Sequence, residues 1–183
     1  MTRHGTSRNR LLAFHERRVP TIMTRALPSC MALILVVYGS VPSRAADGLP
    51  PFKVTGQQMT AVALLVPKET TNEQLKALVF ALQKARQEKS LGKLLPPTTP
   101  RGSKGPYGIV VVYVYSEPEW ATSAALQKCN NASANTPLYI ECGRHVRAHY
   151  FYGAAAATPE HEEGMLGYAE GERVYTKVYE KLF

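Results

Sequence analysis

Residues 108–116 are Gly-Ile-Val-Val-Val-Tyr-Val-Tyr-Ser, an unbroken run of β-branched and aromatic side chains. These residue types favour strands, and a run without polar alternation is typical of a strand that is buried on both faces. We therefore predict a central strand over residues 108–115. We expect a small sheet of three to four strands around it, packed by about three helices, in an α/β fold with mixed α+β as the alternative.

The residues before this strand predict a second strand and a helix. Residues 59–66 are apolar except for Thr60 and are followed by Pro67, which favours a strand that stops there. Thr70 and Glu73 have the spacing of a capping box at a helix N-terminus. The apolar residues that follow recur at helical spacing: Leu75, Leu78, Val79 and Leu82. We expect the two strands to lie parallel, joined by a right-handed crossover.

Residues 91–107 contain seven Gly and Pro residues and predict a loop. The simplest interpretation is a surface connection within the crossover. The alternative is a basic binding loop that uses Lys93, Arg101 and Lys104, because a long loop inside a small domain is often functional.

After the central strand, Ser116 and Glu119 have the spacing of a second capping box. They predict a helix that ends near Cys129. Residues 138–142 and 145–152 then predict strands, either a hairpin or one strand with a bulge at Gly143.

Strand alternation predicts that one face of residues 145–152 is solvated and the other apolar. The expected solvated residues are His145, Arg147, His149 and Phe151. In the last dozen residues the apolar and aromatic side chains recur every four positions. That period predicts a C-terminal helix.

The first 45 residues have the layout of a secretory signal peptide. Arg25 precedes a short apolar run at residues 32–37, and small residues follow at Ala45 and Ala46, where we expect cleavage. The run is too short for a bilayer span, which takes about 20 residues. Met23 as the true start would give a leader of ordinary length. The alternative is an uncleaved leader that tethers the protein to a membrane.

The net charge of +8 is concentrated in this leader. Residues 1–45 hold seven Arg against one Glu, a net of +6, whereas residues 46–183 hold 15 Lys and Arg against 13 Asp and Glu, a net of +2. Because the remaining domain is nearly neutral, it lacks the electrostatic footprint of a polyanion-binding protein. We expect no nucleic acid partner and no stable membrane span after cleavage.

Cys129 and Cys142 are the only cysteines of residues 46–183. Export would place them in an oxidising compartment, so we predict a structural disulfide between them. A loop of this size would contribute about 3 kcal/mol in the chain-entropy model. A redox pair normally has close spacing such as Cys-x-x-Cys, which is absent.

One cluster resembles metal ligands or acid–base groups. It consists of His145, His149 and His161 with Glu141, Glu160, Glu162 and Glu163. On a strand, a spacing of four residues spans about 13 Å, too far for one metal ion. The three histidines are therefore weak metal candidates, and we predict no metal and no cofactor. Asp47 is the only aspartate after the leader, which disfavours mechanisms that need an Asp dyad or triad.

We expect an exported binding or accessory protein of the cell envelope without enzymatic activity, periplasmic in a Gram-negative bacterium or secreted. Its partner would be an envelope protein, bound through a sheet edge or through the loop at residues 91–107. The alternative is a small envelope hydrolase or metal-binding protein that uses His145, His149 or His161. The oligomeric state is not predicted.

The export hypothesis predicts the intact mass of the protein recovered from a periplasmic fraction. The chain should begin at Ala46 or Asp47, and its mass should be lower by two hydrogen atoms until a reductant is added. A full-length cytosolic chain with two alkylatable thiols in residues 46–183 would contradict both the leader and the disulfide.

Overall fold

The structure is a computed structural model that describes residues 49–99, 105–153 and 160–183. The predicted leader, with its cleavage residues Ala45 and Ala46 and the start at Met23, lies outside the described residues. So do Arg101 and Lys104 of the predicted loop.

A mixed α+β architecture holds three α-helices and a sheet larger than the three to four strands predicted. The strands in chain order are β1 (Lys53–Gln58), β2 (Ala61–Leu65), β3 (Ile109–Tyr115), β4 (Ala148–Gly153), β5 (His161–Leu166), β6 (Ala169–Glu170), β7 (Arg173–Val174) and β8 (Glu180–Lys181). The helices are α1 (Asn72–Gln87), α2 (Ser123–Asn130) and α3 (Pro137–Arg144), with a 3-10 turn at Leu91–Lys93. Six strands form the main sheet in the order β1-β2-β3-β4-β5-β8, and β6 pairs with β7.

The predicted central strand is β3, inside the main sheet. It pairs in parallel with β2, as predicted, and antiparallel with β4. Its alternate residues Val110, Val112 and Val114 are fully buried against the side of the sheet that α1 covers. The residues between them point to the opposite face, where Tyr115 is also buried. The run has no polar alternation because both faces are covered.

Helix α1 forms where its apolar spacing predicted it. The four predicted apolar residues are completely buried: Leu75, Leu78, Val79 and Leu82. The capping box lies one residue later than predicted. The Thr71 hydroxyl accepts from the Gln74 backbone N–H, and the Thr71 N–H donates to the Gln74 side chain at 2.9 Å. An amide oxygen can close the box as well as a carboxylate can.

A bidentate ion pair joins α1 to the sheet. The Arg86 guanidinium donates to the two carboxylate oxygens of Glu162 at 2.6 and 2.8 Å, and the Tyr150 hydroxyl donates to the same carboxylate at 2.7 Å. Charge-assisted bidentate bonds are among the strongest in proteins. Glu162, one of the predicted acid–base candidates, is therefore occupied by a structural contact.

The described parts of the loop at residues 91–107 are packed against the domain. Leu91 and Leu95 are buried, and the buried Thr98 hydroxyl donates to the Ile109 carbonyl at 2.6 Å. The Tyr107 hydroxyl donates to the Leu95 carbonyl at 2.9 Å. These contacts attach both described ends of the loop to the start of β3.

The prediction of a helix starting at Ser116 is wrong. Turns follow β3, and α2 begins at Ser123, where the Thr122 hydroxyl accepts from the Ala125 backbone N–H at 3.1 Å. Threonine is a favourable N-cap residue, and α2 begins after Thr122 rather than at the capping-box spacing of Ser116 and Glu119. The intervening turns place Glu117 and Trp120 beside α3.

The prediction of a strand over residues 138–142 is also wrong, since this segment lies in α3. The Thr136 hydroxyl caps the helix by accepting from the Tyr139 backbone N–H, and Pro137 occupies the first turn. Pro is well suited to that position because no helical partner is lost. The hairpin and the single strand bulged at Gly143 are therefore both wrong, and β4 alone remains as a strand in residues 138–153.

The C-terminal helix is not formed: the last dozen residues contain the short strands β7 and β8 instead. The Leu182 backbone N–H donates to the Gly164 carbonyl at 2.8 Å, which adds the chain end to the sheet edge. Phe183 packs beside Phe80 with ring centroids 5.6 Å apart. Tertiary pairing overrides the four-residue period of the sequence. Among the described helices, none has the length and apolarity required to cross a membrane.

Gly56 of β1 faces the start of α2 at a distance that leaves no room for a side chain. A Cβ there would lie 2.5 Å from the backbone of Thr122 and Ser123. We expect Gly56→Ala to lower the free energy of unfolding by about 1–3 kcal/mol, because neither backbone can move away cheaply. Thr55→Ala, at the exposed position beside it, should change stability by about 0.5 kcal/mol or less. Urea denaturation measures both, and equal stabilities would contradict the close approach.

Candidate functional site

The three candidate histidines lie in three separate surroundings. His145 caps the C-terminus of α3, His149 lies in β4, and His161 begins β5. His149 pairs with Met165, four residues along β5 from His161, so the two histidines are about 13 Å apart along the sheet. Within the described residues, no group of three or more His, Cys, Asp or Glu side chains is placed to hold a metal ion.

Both ring nitrogens of His145 face carboxylates. Nδ1 contacts Glu117, Nε2 lies 3.0 Å from Glu141, and the ring stacks on Trp120 with centroids 4.2 Å apart. Burial opposes the charged ring, but hydrogen bonds to Glu141 and Glu117 raise the pKa of His145 above its ordinary value. The bond from His145 in turn lowers the pKa of Glu141.

This arrangement favours an imidazolium that donates to two acids. In that state neither nitrogen has a lone pair for a substrate proton or a metal. The contacts instead connect the end of α3 to the turns that follow β3. Glu141 was among the predicted cluster, whereas Glu117 was not, because it is 28 residues away in sequence.

His149 is buried, contrary to the predicted solvated face. Its side chain is 5% exposed and packs near Tyr113 and Tyr168, with ring centroids 5.0 and 5.3 Å away. Nδ1 has no hydrogen-bond partner among the described residues. Burial lowers the pKa of His149 to about 4, so the ring is neutral at pH 7. Strand alternation predicts one apolar and one solvated face for this segment. It does not predict that the face of β4 that carries His149 would also be covered.

His161 is exposed, and its Nε2 lies 3.3 Å from a Glu163 carboxylate oxygen. A single exposed His–Glu contact is common on protein surfaces. It does not bring His161 near the other two histidines.

A cleft of about 620 Å³ lies where the start of α1, the end of α3 and the segment after β7 meet. Its walls carry three cations, Arg144, Arg147 and Lys177, together with Asn72 of the first turn of α1. No carboxylate is among its lining residues in the described part of the chain. We call this site the basic cleft.

The cations of the basic cleft are only partly neutralised. Arg147 donates to the backbone carbonyls of Thr70 at 2.8 Å and Lys68 at 3.4 Å, which fixes its guanidinium without a counter-charge. Neither Arg147 nor Lys177 forms an ion pair with another described residue. Arg144 lies 3.4 Å from Glu141, a carboxylate that also binds His145.

A second cavity, of about 230 Å³, lies between the sheet, α2 and α3. We call it the tyrosine cavity, because four of its lining residues are Tyr113, Tyr115, Tyr139 and Tyr168. Burial raises the pKa of Tyr113, Tyr115 and Tyr168. Burial and a 2.6 Å hydrogen bond to Glu170 raise the pKa of Tyr139 to about 12. All four hydroxyls are therefore neutral at physiological pH.

Cys129 and Cys142 also line the tyrosine cavity, and they lie at disulfide-bonding distance with Cα atoms 5.9 Å apart. This placement fits the predicted disulfide. A disulfide between these residues would join the end of α2 to α3 and would hold two walls of the cavity together.

An open groove of about 360 Å³ lies at the carboxyl ends of β2 and β3, the edge where parallel sheets often bind ligands. Phe52, Leu65 and Pro118 are among its apolar lining residues, and Lys53 and Lys68 also line it. It offers apolar contact but no convergent set of polar groups.

The sequence patterns did not indicate either the basic cleft or the tyrosine cavity. The sequence predicts Arg147 on a strand face and Lys177 in a C-terminal helix that does not form. Only the positions of α3 and of residues 175–178 bring them together. The Tyr-Val-Tyr pattern of residues 113–115 was the one visible signal for the tyrosine cavity, since it places two rings on one face of β3.

No family model matches this chain, and neither the comparison with curated proteins nor the comparison with solved structures gives a match.

The buried His149 predicts a loss of stability in mild acid. Between pH 6.5 and 4 the unfolded chain binds a proton at this ring and the folded chain does not. The free energy of unfolding therefore decreases as the pH is lowered, by up to about 1.4 kcal/mol per pH unit. We expect His149→Phe to reduce this slope, measured by urea denaturation from pH 4 to pH 7.5. His161→Asn, at an exposed position, should retain it. An unchanged slope in His149→Phe would contradict a neutral buried ring.

Proposed function

We propose that this chain is an exported binding domain of the cell envelope, periplasmic or secreted, that binds an anionic group in the basic cleft. The observation that carries the proposal is the set of three cations around a cleft whose described walls hold no carboxylate. The ligand would carry a carboxylate or a phosphate.

The chemistry of the walls suits such a ligand. Guanidinium groups bind carboxylates and phosphates with paired hydrogen bonds, and Arg147 is held in place by backbone carbonyls before any ligand arrives. Asn72 lies at the first turn of α1, where the helix dipole adds positive potential. Preorganised charges lower the cost of ordering side chains on binding.

The sheet edges are poorly suited to strand addition by a partner. β1 has a bulge between Val54 and Gly56, and its Gln57 backbone N–H already donates to the Ser123 hydroxyl at 2.9 Å. The opposite edge, β8, has two residues. Bulges and short strands are the usual devices that block edge pairing. The basic cleft is therefore a better place than a sheet edge for the expected partner or ligand to bind.

Export is supported by the leader-like sequence and by the Cys129–Cys142 placement. A disulfide persists in extracellular compartments and is rare in the cytosol, so the pair is compatible with an extracellular location. The alternative of a hydrolase or metal-binding protein using His145, His149 or His161 stays a prediction. Elemental analysis of the purified protein tests it directly.

Calorimetric titration of the purified protein with inorganic phosphate and with citrate tests the basic cleft. We expect saturable binding that weakens as salt is added, since the attraction is electrostatic. Lys177→Glu should weaken binding about tenfold or more, because it places a carboxylate at the cleft. Lys177 is exposed, so the variant should fold.

The matched control is Lys84→Glu. It makes the same charge change at an exposed residue of α1 that does not line the cleft and that lies twelve residues, about 18 Å, along the helix from Asn72. It should bind as the wild type does. Equal weakening in both variants would show that the effect comes from net charge and would contradict a binding site at the cleft. The proposal would also be overturned if neither anion bound saturably.

A further inference from the structure

We propose that the tyrosine cavity binds a small alkylated ammonium ion. This site is distinct from the basic cleft, and its ligand has the opposite charge. The proposal goes beyond the proposed function and does not depend on it.

The aromatic walls of the cavity are the first support. The rings of Tyr113 and Tyr168 have centroids 5.9 Å apart and planes at 70°, and those of Tyr113 and Tyr115 are 6.4 Å apart and inclined by 36°. All three rings are among the residues that line the cavity, and their planes are inclined to one another. The face of an aromatic ring is electronegative, and several such faces around one space attract a cation.

The charge distribution is the second support. No lining residue of the cavity carries a charge, so no resident cation competes for the rings. The Glu170 carboxylate lies behind one wall, where it accepts from the Tyr139 hydroxyl at 2.6 Å and contacts the Tyr175 hydroxyl at 3.5 Å. A carboxylate one ring away adds negative potential without occupying the cavity.

The size of the cavity limits the ligand. A protein cavity of about 150 Å³ accommodates benzene, so the 230 Å³ found here suits a molecule only somewhat larger. An alkylated ammonium such as a trimethylammonium group has a diffuse charge and needs no hydrogen-bond acceptors. A primary ammonium would need three acceptors.

The walls are held by rigid elements. Tyr113 and Tyr115 belong to β3, and Tyr139 lies in α3, which Cys129 and Cys142 connect to α2. Tyr168 packs on Tyr175 with centroids 5.5 Å apart. A site whose walls are already in place loses little ordering entropy when a ligand binds.

Titration of the full-length protein with choline and with 3,3-dimethylbutan-1-ol, a neutral molecule of the same shape, tests the proposal. We expect saturable binding of choline and of tetramethylammonium, and binding of the neutral alcohol that is weaker by about tenfold or more. Methylammonium should also bind weakly. Calorimetry or the chemical shifts of the tyrosine rings would follow each titration.

Variants of the ring walls complete the test. Tyr139→Leu removes one ring and should abolish choline binding, whereas Tyr139→Phe keeps the ring and should retain most of it. Tyr179→Leu, at an exposed ring that does not line the cavity, is the matched control and should bind normally. Because Lys177 is not part of the cavity, Lys177→Glu should leave choline binding unchanged even if the anion proposal fails.

Two results would overturn the proposal. One is the absence of saturable choline binding by the folded wild-type protein. The other is equal binding of choline and 3,3-dimethylbutan-1-ol, which would make the cavity a plain apolar site rather than a cation site.

Discussion

The structure depends on the burial of β3 on both faces. Its β-branched side chains at Val110, Val112 and Val114 are fully buried on one side, and Tyr115 is buried on the other. Burial of one such side chain is worth roughly 1.5–3 kcal/mol, so each face of this strand must be covered. α1 covers the first face with a continuous apolar stripe. The second face is covered by shorter pieces: Leu126 of α2, the turn residues Trp120 and Ala121, Val146 after α3, and Tyr168 before β6.

The candidate sites follow from that difference between the two faces. One long helix covers the first face with a regular apolar stripe. The second face is assembled from separate elements, and space remains between them at the tyrosine cavity. The basic cleft lies beyond the end of α3, whose position is set by the contact of His145 with two carboxylates and by the proximity of Cys129 to Cys142. Val146 lines both sites.

Sequence reasoning succeeded where one physical effect dominated. The apolar run of β3 and the stripe of α1 are local patterns, and their burial agrees with them. It failed where two local signals competed. Ser116 and Glu119 have the spacing of a capping box but start no helix, because Thr122 caps α2 instead. Thr136 and Pro137 are equally good helix-start signals, but the residues that follow them predict a strand over residues 138–142, which in fact lies in α3.

The sequence alone determined the central strand, its parallel partner and the helix between them, because hydrophobic periodicity encodes which face of each element is buried. Only the tertiary structure decided the rest. The chain end pairs with β5 because an unpaired sheet edge was available there, although its own period favours a helix. Likewise, Arg144, Arg147 and Lys177 face one cleft because distant elements pack together. Periodicity carries no information about contacts between residues far apart in the chain.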